Sequence, residues 1–263
     1  MEHPSGPEQR SPENPQPTYA RPPGLEFAMG VSLFGMMIMV FFIVQTVVFI
    51  SGVLRHSPDL TSEGFSFSLL SDPRMEERMS ELVFHGDLVA QEAIWSGAIC
   101  TLLIYFAVRL WKRAHTAQFL GLKKPHWKQV LMWLGIFFLL GVIIELLAHY
   151  FPVFRTDFME QVIGSTTNFF WLIVGVGIMA PLFEEFLLRG LLFGSIRHMF
   201  DEHVSVALTA GVFALMHMQY DPAVMLLILP MGIVLGYARA RSGSIWVPVL
   251  LHVVNNMITV LFP

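Results

Sequence analysis

Long apolar runs separated by short polar stretches set the pattern of this chain. Seven apolar segments stand out, at about 27–54, 89–111, 128–151, 168–196, 203–219, 223–240 and 244–262. Repeated runs of about 20 apolar residues are what helices need to cross a hydrocarbon core. The pattern therefore predicts an all-α fold, a polytopic transmembrane helix bundle of about seven membrane helices. Polar groups interrupt the fourth and fifth segments, which makes them the least regular. Residues 60–88, where Phe65, Phe67, Leu69 and Leu70 stand among charges, leave room for a short eighth helix.

Composition removes the soluble alternative. The chain of 263 residues is 54% hydrophobic and only 14% charged, where a soluble domain carries about 25% charged residues. Residues 1–24 contain Pro4, Pro7, Pro12, Pro15, Pro17, Pro22 and Pro23 and almost nothing apolar. This is the composition of a disordered tail, and it lacks the basic-then-apolar pattern of a cleavable signal peptide. A single cysteine, Cys100, excludes an intramolecular disulfide and a cysteine-based zinc site. Its apolar setting is that of a buried, inert thiol. No internal repeat relates the two halves, so a transporter built on symmetric repeats is not supported.

The charges indicate an orientation. With the N-terminus inside, 12 of the 16 Lys and Arg residues fall on the inner side, leaving Arg55, Arg74, Arg78 and Arg155 outside. Basic residues gather in cytoplasmic loops, so the expected topology is N-terminus inside and C-terminus outside.

Eight polar residues lie at membrane depth: Glu145, His149, Glu184, Glu185, Arg189, His217, His252 and Asn256. A charge at the bilayer centre costs roughly 2.5–3.5 kcal/mol on insertion scales, so these groups need partners or a task. Helix residues four apart share a face, which pairs Glu185 with Arg189. Glu184 is turned away by about 140° from that arginine and is left for something else. His252 and Asn256 share a face of the last segment, and Phe213 and His217 share one of the fifth. Pro248 removes a backbone bond to Ser244 and is expected to bend the last helix. Asp201 is the expected N-cap of the fifth helix. Measured from the turn between the fourth and fifth segments, Glu184 and His217 both stand roughly 22 Å along their helices. His252 and Asn256 reach a similar depth from the same side. Glu184, His217, His252 and Asn256 are thus expected to converge. Glu145 and His149, near the end of the third segment, read as a structural or interfacial pair.

Apolar surroundings disfavour the ionised form of a carboxylate and move it toward the range suited to a general base. A histidine beside it would help to deprotonate a water. His252 and the Asn256 amide are donors that could stabilise an oxyanion on a carbonyl under attack. Together these describe water attack on an amide without a covalent nucleophile. There is no His-Glu-x-x-His motif and no Gly-x-Ser-x-Gly elbow. Tyr220-Asp221 is half of an aspartyl pair with no intramembrane second half, and Asp221 falls in a short exterior turn. A metal held by Glu184, His217 and His252 stays open on ligand type alone.

Glu-Glu-x-x-x-Arg (Glu184, Glu185, Arg189), Phe-x-x-x-His (Phe213, His217) and His-x-x-x-Asn (His252, Asn256) occur in that order. Over residues 168–262 the chain resembles the CAAX prenyl protease type 2 and bacteriocin-processing family of membrane endopeptidases. The N-terminal half matches only as generic membrane helices. The resemblance implies a glutamate-dependent intramembrane endopeptidase in which Glu184 and His217 activate water and His252 and Asn256 form the oxyanion hole. It divides the chain into the tail at 1–24, membrane helices and loops at 25–167 and a catalytic core at 168–263. It also implies no cofactor, a peptide or protein substrate that is membrane-anchored or prenylated in some relatives, and no nucleic-acid partner. The setting it implies is a bacterial cytoplasmic membrane. A non-enzymatic immunity or regulatory protein is the alternative, in which the polar cluster serves packing or partner binding.

Overall fold

The computed structural model describes residues 22–61 and 66–262, and no strand occurs among the described residues. Helix α1 spans Pro23–His56. It takes in Pro23 and Gly24 from the expected tail, with Pro23 in the first turn, where no backbone N–H is needed. Pro22 stands at the N-cap, and residues 1–21 of the expected tail lie outside the described residues. Helix α2, Pro73–Leu82, is capped by Asp72, whose side chain accepts from the Arg74 N–H. It is the short helix expected between 60 and 88, although Phe65 lies outside the described residues. At ten residues it is about 15 Å long and carries charges throughout, too short and too polar to cross a membrane.

Helices α3 (Gly86–Lys112), α4 (Thr116–Leu120) and α5 (Trp127–Tyr150) follow, then the short α6 (Phe158–Gly164). The C-terminal part comprises α7 (Phe169–Ile196), α8 (Glu202–Leu215), α9 (Pro222–Ser242) and α10 (Trp246–Leu261). Five helical spans are long and apolar enough to cross a membrane: α1, α3 continued through α4, α5, α7 and α9. The remaining two expected segments are the shorter apolar helices α8 and α10. The protein is an all-α polytopic bundle, and each of the seven apolar segments forms a helix.

The bundle has an inside and an outside. Half of the most apolar window of α7 is buried, against 6% for α1 and 11% for α5. Helix α7 is therefore the central post, while α1 and α5 present apolar side chains such as Phe42, Val47, Phe138 and Leu139 outward. Such a broad exposed apolar surface belongs against lipid. Helix α3 lies close against α7 because both supply glycine at the crossing. A Cβ on Gly97 would stand 2.8 Å from the Met179 carbonyl oxygen, and one on Gly175 would stand 2.6 Å from that of Ala90. Small residues let membrane helices approach backbone to backbone.

Two expectations about helix ends are resolved by local chemistry. Asp201 caps α8, its side chain accepting from the Val204 N–H at 2.9 Å. Pro248 does not bend its helix: α10 begins at Trp246, so Pro248 lies in the first turn, where the absent N–H costs nothing. Ser244 takes up the helix start instead, its Oγ accepting from the Trp246 N–H.

Candidate active site

The middle of α7 is not a regular α-helix. Residues 173–179 and 186–192 form wider π turns on either side of Ala180–Glu185. Pro181 lies between them and has no N–H to return to the carbonyl one turn earlier. π turns inside α-helices gather at functional sites because they re-aim side chains and release backbone groups. The two glutamates stand at the junction just before the second wide stretch.

Glu185 and Arg189 pair as their spacing requires. Arg189 Nη1 donates to Glu185 Oε1 at 3.0 Å, and both side chains are fully buried. Arg189 Nη2 donates to the carbonyl of Gly232 on α9 at 2.9 Å. The guanidinium lies over the Phe213 ring, 4.7 Å from its centroid. His252 adds a contact that the spacing did not indicate: its Nδ1 lies 2.9 Å from the same Glu185 oxygen. A carboxylate paired to arginine only accepts, so Nδ1 carries the proton of this bond. Glu185 thus ties α7 to α10, while Arg189 ties it to α9.

Glu184 is placed differently. Its Oε2 is buried with no hydrogen-bond partner and stands 3.9 Å from His252 Nε2. The His252 ring therefore sits between the two carboxylates, bonded to Glu185 and turned edge-on toward Glu184. His217 on the turn after α8 bonds its own helix, with Nδ1 2.8 Å from the Phe213 carbonyl. A carbonyl cannot donate, so the neutral ring keeps Nε2 as an acceptor. The Phe213 ring touches both histidines, at 4.7 Å from His217 and 5.4 Å from His252. Asn256, one turn beyond His252, donates from Nδ2 to the Val176 carbonyl in the first wide stretch of α7 at 2.9 Å. The four expected site residues thus come from α7, the end of α8 and α10. Glu184 meets His252 directly, His217 joins through Phe213, and Asn256 sits on the α7 backbone.

Four residues beyond the expected set belong to this neighbourhood. Arg239 on α9 is 1% exposed. Its Nε donates to the Arg189 carbonyl at 2.9 Å and its Nη2 to the Phe119 carbonyl at 3.3 Å. The wide turn explains the free carbonyl: the Phe193 N–H reaches back to Leu188. Arg189 and Arg239 thus clasp α7 and α9 reciprocally, each guanidinium on the other helix's backbone. Gly121 has φ +77°, and a Cβ there would meet Arg239 Cζ at 2.5 Å, so this clasp needs glycine at 121 on both counts. Tyr220, in the turn before α9, lies parallel to the His217 ring with centroids 6.2 Å apart. Burial, together with the Glu184 charge, pushes its phenol up to about 12, so it remains a donor. Gly232 supplies the carbonyl that receives Arg189. Residue order marks Arg239 as a cation inside an apolar segment and Tyr220 through its Asp221 neighbour, and carries no mark of Gly121 or Gly232.

Other candidates stay apart. Glu145 and His149 are exposed on α5, and the His149 carbonyl accepts from Arg155. Asp221 stands at the N-cap of α9, with no side-chain capping bond. Cys100 is free and buried among the apolar side chains of α3 and α7. Among the described residues, no three His, Cys, Asp or Glu side chains are grouped as metal ligands would be.

Residues 166–258 match the family model described as Rce1-like, type II CAAX prenyl endopeptidase Rce1-like. A curated Bacillus subtilis (strain 168) protein, "Putative membrane peptidase YdiL", is 27% identical over 90 residues, covering 34% of this chain and 36% of that protein. The match spans about a third of that relative's length. No solved structure matches the chain. The family match contains all three motifs and bears out the resemblance drawn from them over that segment.

Proposed function

We propose that this protein is an intramembrane endopeptidase that hydrolyses a peptide bond with a water activated by Glu184 and His217. The observation that carries the reading is the contrast within the glutamate pair. Glu185 Oε1 is held by both Arg189 and His252, although its Oε2 is unpartnered too, whereas Glu184 takes no hydrogen bond from any described residue and its Oε2 is buried beside His252. Leaving a buried carboxylate oxygen unpaired is costly, which suits a group reserved for substrate and water.

In this mechanism Glu184 takes a proton from water, with His217 Nε2 accepting a hydrogen bond from the same molecule. The hydroxide adds to the substrate carbonyl carbon. The oxyanion receives hydrogen bonds from Asn256 Nδ2 and from His252 Nε2. For Nε2 to donate while Nδ1 bonds Glu185, the ring holds both protons; Glu184, 3.9 Å from Nε2, opposes that charge before it takes the proton from water, and the oxyanion opposes it afterwards. Collapse breaks the C–N bond, and the proton held by Glu184 passes to the leaving amine. Positioned donors at an oxyanion contribute a factor of about 10²–10³ each.

The reaction as drawn needs no metal. Chelation should leave the rate unchanged; its loss on chelation and return with zinc would assign Glu184, His217 and His252 as ligands instead. The family match supports a peptide or protein substrate, with C-terminal processing of the CAAX type as the finer reading. The expected setting is a bacterial cytoplasmic membrane with the N-terminus inside. Reporter fusions after residues 80 and 120 should then report outside and inside. Peptide proteomics of membranes carrying the wild-type chain or Glu184→Gln should show substrate fragments in the first alone. Identical fragment profiles would overturn the assignment.

A further inference from the structure

On the outer flank of the bundle, away from the glutamates, α1 and α3 pack antiparallel and leave a groove between them. Its volume is about 630 Å³, within the roughly 300–1,000 Å³ of small-molecule sites. Ile43, Val47 and Val48 line one wall, and Trp95 and Ile99 the other. Ile43, Val47 and Trp95 are each more than half exposed, so the groove opens outward, where a membrane helix meets lipid.

One end is not apolar. Arg55 closes the groove near the last turn of α1. Its Nε donates to the Ser51 carbonyl and its Nη2 to Gln91 Oε1 at 2.7 Å. These two bonds hold the planar guanidinium at the mouth of the groove. Arg55 has no carboxylate partner among the described residues. Arg74, Arg78, Arg189 and Arg241, by contrast, each have one. From Arg55 to Ile43 the groove runs twelve residues along α1, about 18 Å at helical rise. That is a fixed cation at the end of an apolar trough whose length suits one leaflet of a bilayer.

We infer that this groove binds a phospholipid from the leaflet at the C-terminal end of α1, with its phosphate on Arg55 and one acyl chain along Ile43–Ile99. A guanidinium fork matches phosphate oxygens geometrically, and basic positions between membrane helices recognise lipid head groups. The apolar walls alone would accept any hydrocarbon chain; Arg55 selects for phosphate. The bound lipid braces α3, the helix that packs against the first wide stretch of α7.

The test uses the full chain in vesicles and reads Trp95 fluorescence as the difference between wild type and Trp95→Phe. Phosphatidylglycerol brominated in its acyl chains is compared with diacylglycerol bearing the same chains and no phosphate. The phospholipid should quench Trp95 at about a tenth of the mole fraction that diacylglycerol requires. Arg55→Gln should abolish that preference. Val47→Phe, which keeps Arg55 but fills the trough without adding a tryptophan, should reduce quenching by both lipids and covers the case in which Arg55→Gln does not fold. Equal quenching by the two lipids in wild type overturns the inference. So does an undiminished preference in Arg55→Gln, or unchanged quenching in Val47→Phe. None of these readings depends on proteolysis, so the groove and the proposed activity stand or fall separately.

Discussion

Helices α5 and α10 each carry a polar pair four residues apart, Glu145 with His149 and His252 with Asn256. In both, the spacing puts the pair on one helical face, and neither spacing nor composition separates them. The bundle does. The α5 pair points outward and is exposed. On α10, His252 is 3% exposed and bonded to Glu185, while Asn256 reaches the Val176 carbonyl. The same sequence pattern is an exposed pair on a peripheral helix and part of a buried polar cluster on a helix packed against the central post. What decides is whether a partner helix brings a carboxylate or a free carbonyl to the same depth.

The comparison can be broken by substitutions graded from the buried cluster outward. The largest stability effect should come from Arg189→Met, which strands the fully buried Glu185. Removing one member of a buried ion pair costs about 3–5 kcal/mol, to be read as a fall in the denaturation midpoint in detergent. Asn256→Ala should slow cleavage by about 10²–10³, the usual effect of losing one oxyanion donor, with the fold retained. Arg239→Met should cost about 1.5–3 kcal/mol, the range for hydrogen bonds from a charged group. Hydrogen exchange should quicken in residues 186–192 before it does elsewhere. Last, Glu145→Gln and His149→Ala should change stability by less than about 0.5 kcal/mol, as surface substitutions do, and leave cleavage unchanged. An effect of the α5 pair as large as that of Asn256→Ala would erase the distinction between the two helices.

Much of the bundle is legible from residue order, and for a physical reason. An apolar run of about 20 residues has few options other than a membrane helix, so the seven segments appear where the hydropathy places them. Charged residues inside such runs are expensive, which is why Glu184, Glu185 and Arg189 stand out before any packing is known. Beyond that, regular helical geometry misleads. It pairs Glu185 with Arg189 correctly, yet it has no means of showing that His252 takes the same carboxylate oxygen, because that bond crosses from α7 to α10. The wide turns at 173–179 and 186–192 leave no simple pattern in side-chain spacing. They release the Arg189 carbonyl that makes Arg239 part of the site. Pro248 is misread as a bend because the start of α10 is set by Ser244 and its contact with Lys123, a partner about 120 residues earlier.

The central claim is that adjacent glutamates are divided between chemistry and architecture. It is tested most directly by reconstituting Glu184→Gln and Glu185→Gln side by side. Cleavage of a peptide found by the membrane proteomics and the denaturation midpoint are then measured on the same samples. The account predicts that Glu184→Gln loses cleavage by at least the factor of about 10²–10⁴ due to a general base while keeping the wild-type midpoint. Glu185→Gln should lower the midpoint, because Arg189 and His252 lose their shared anion. Glu184→Gln retaining full cleavage, or the two variants matching in both rate and midpoint, would contradict it.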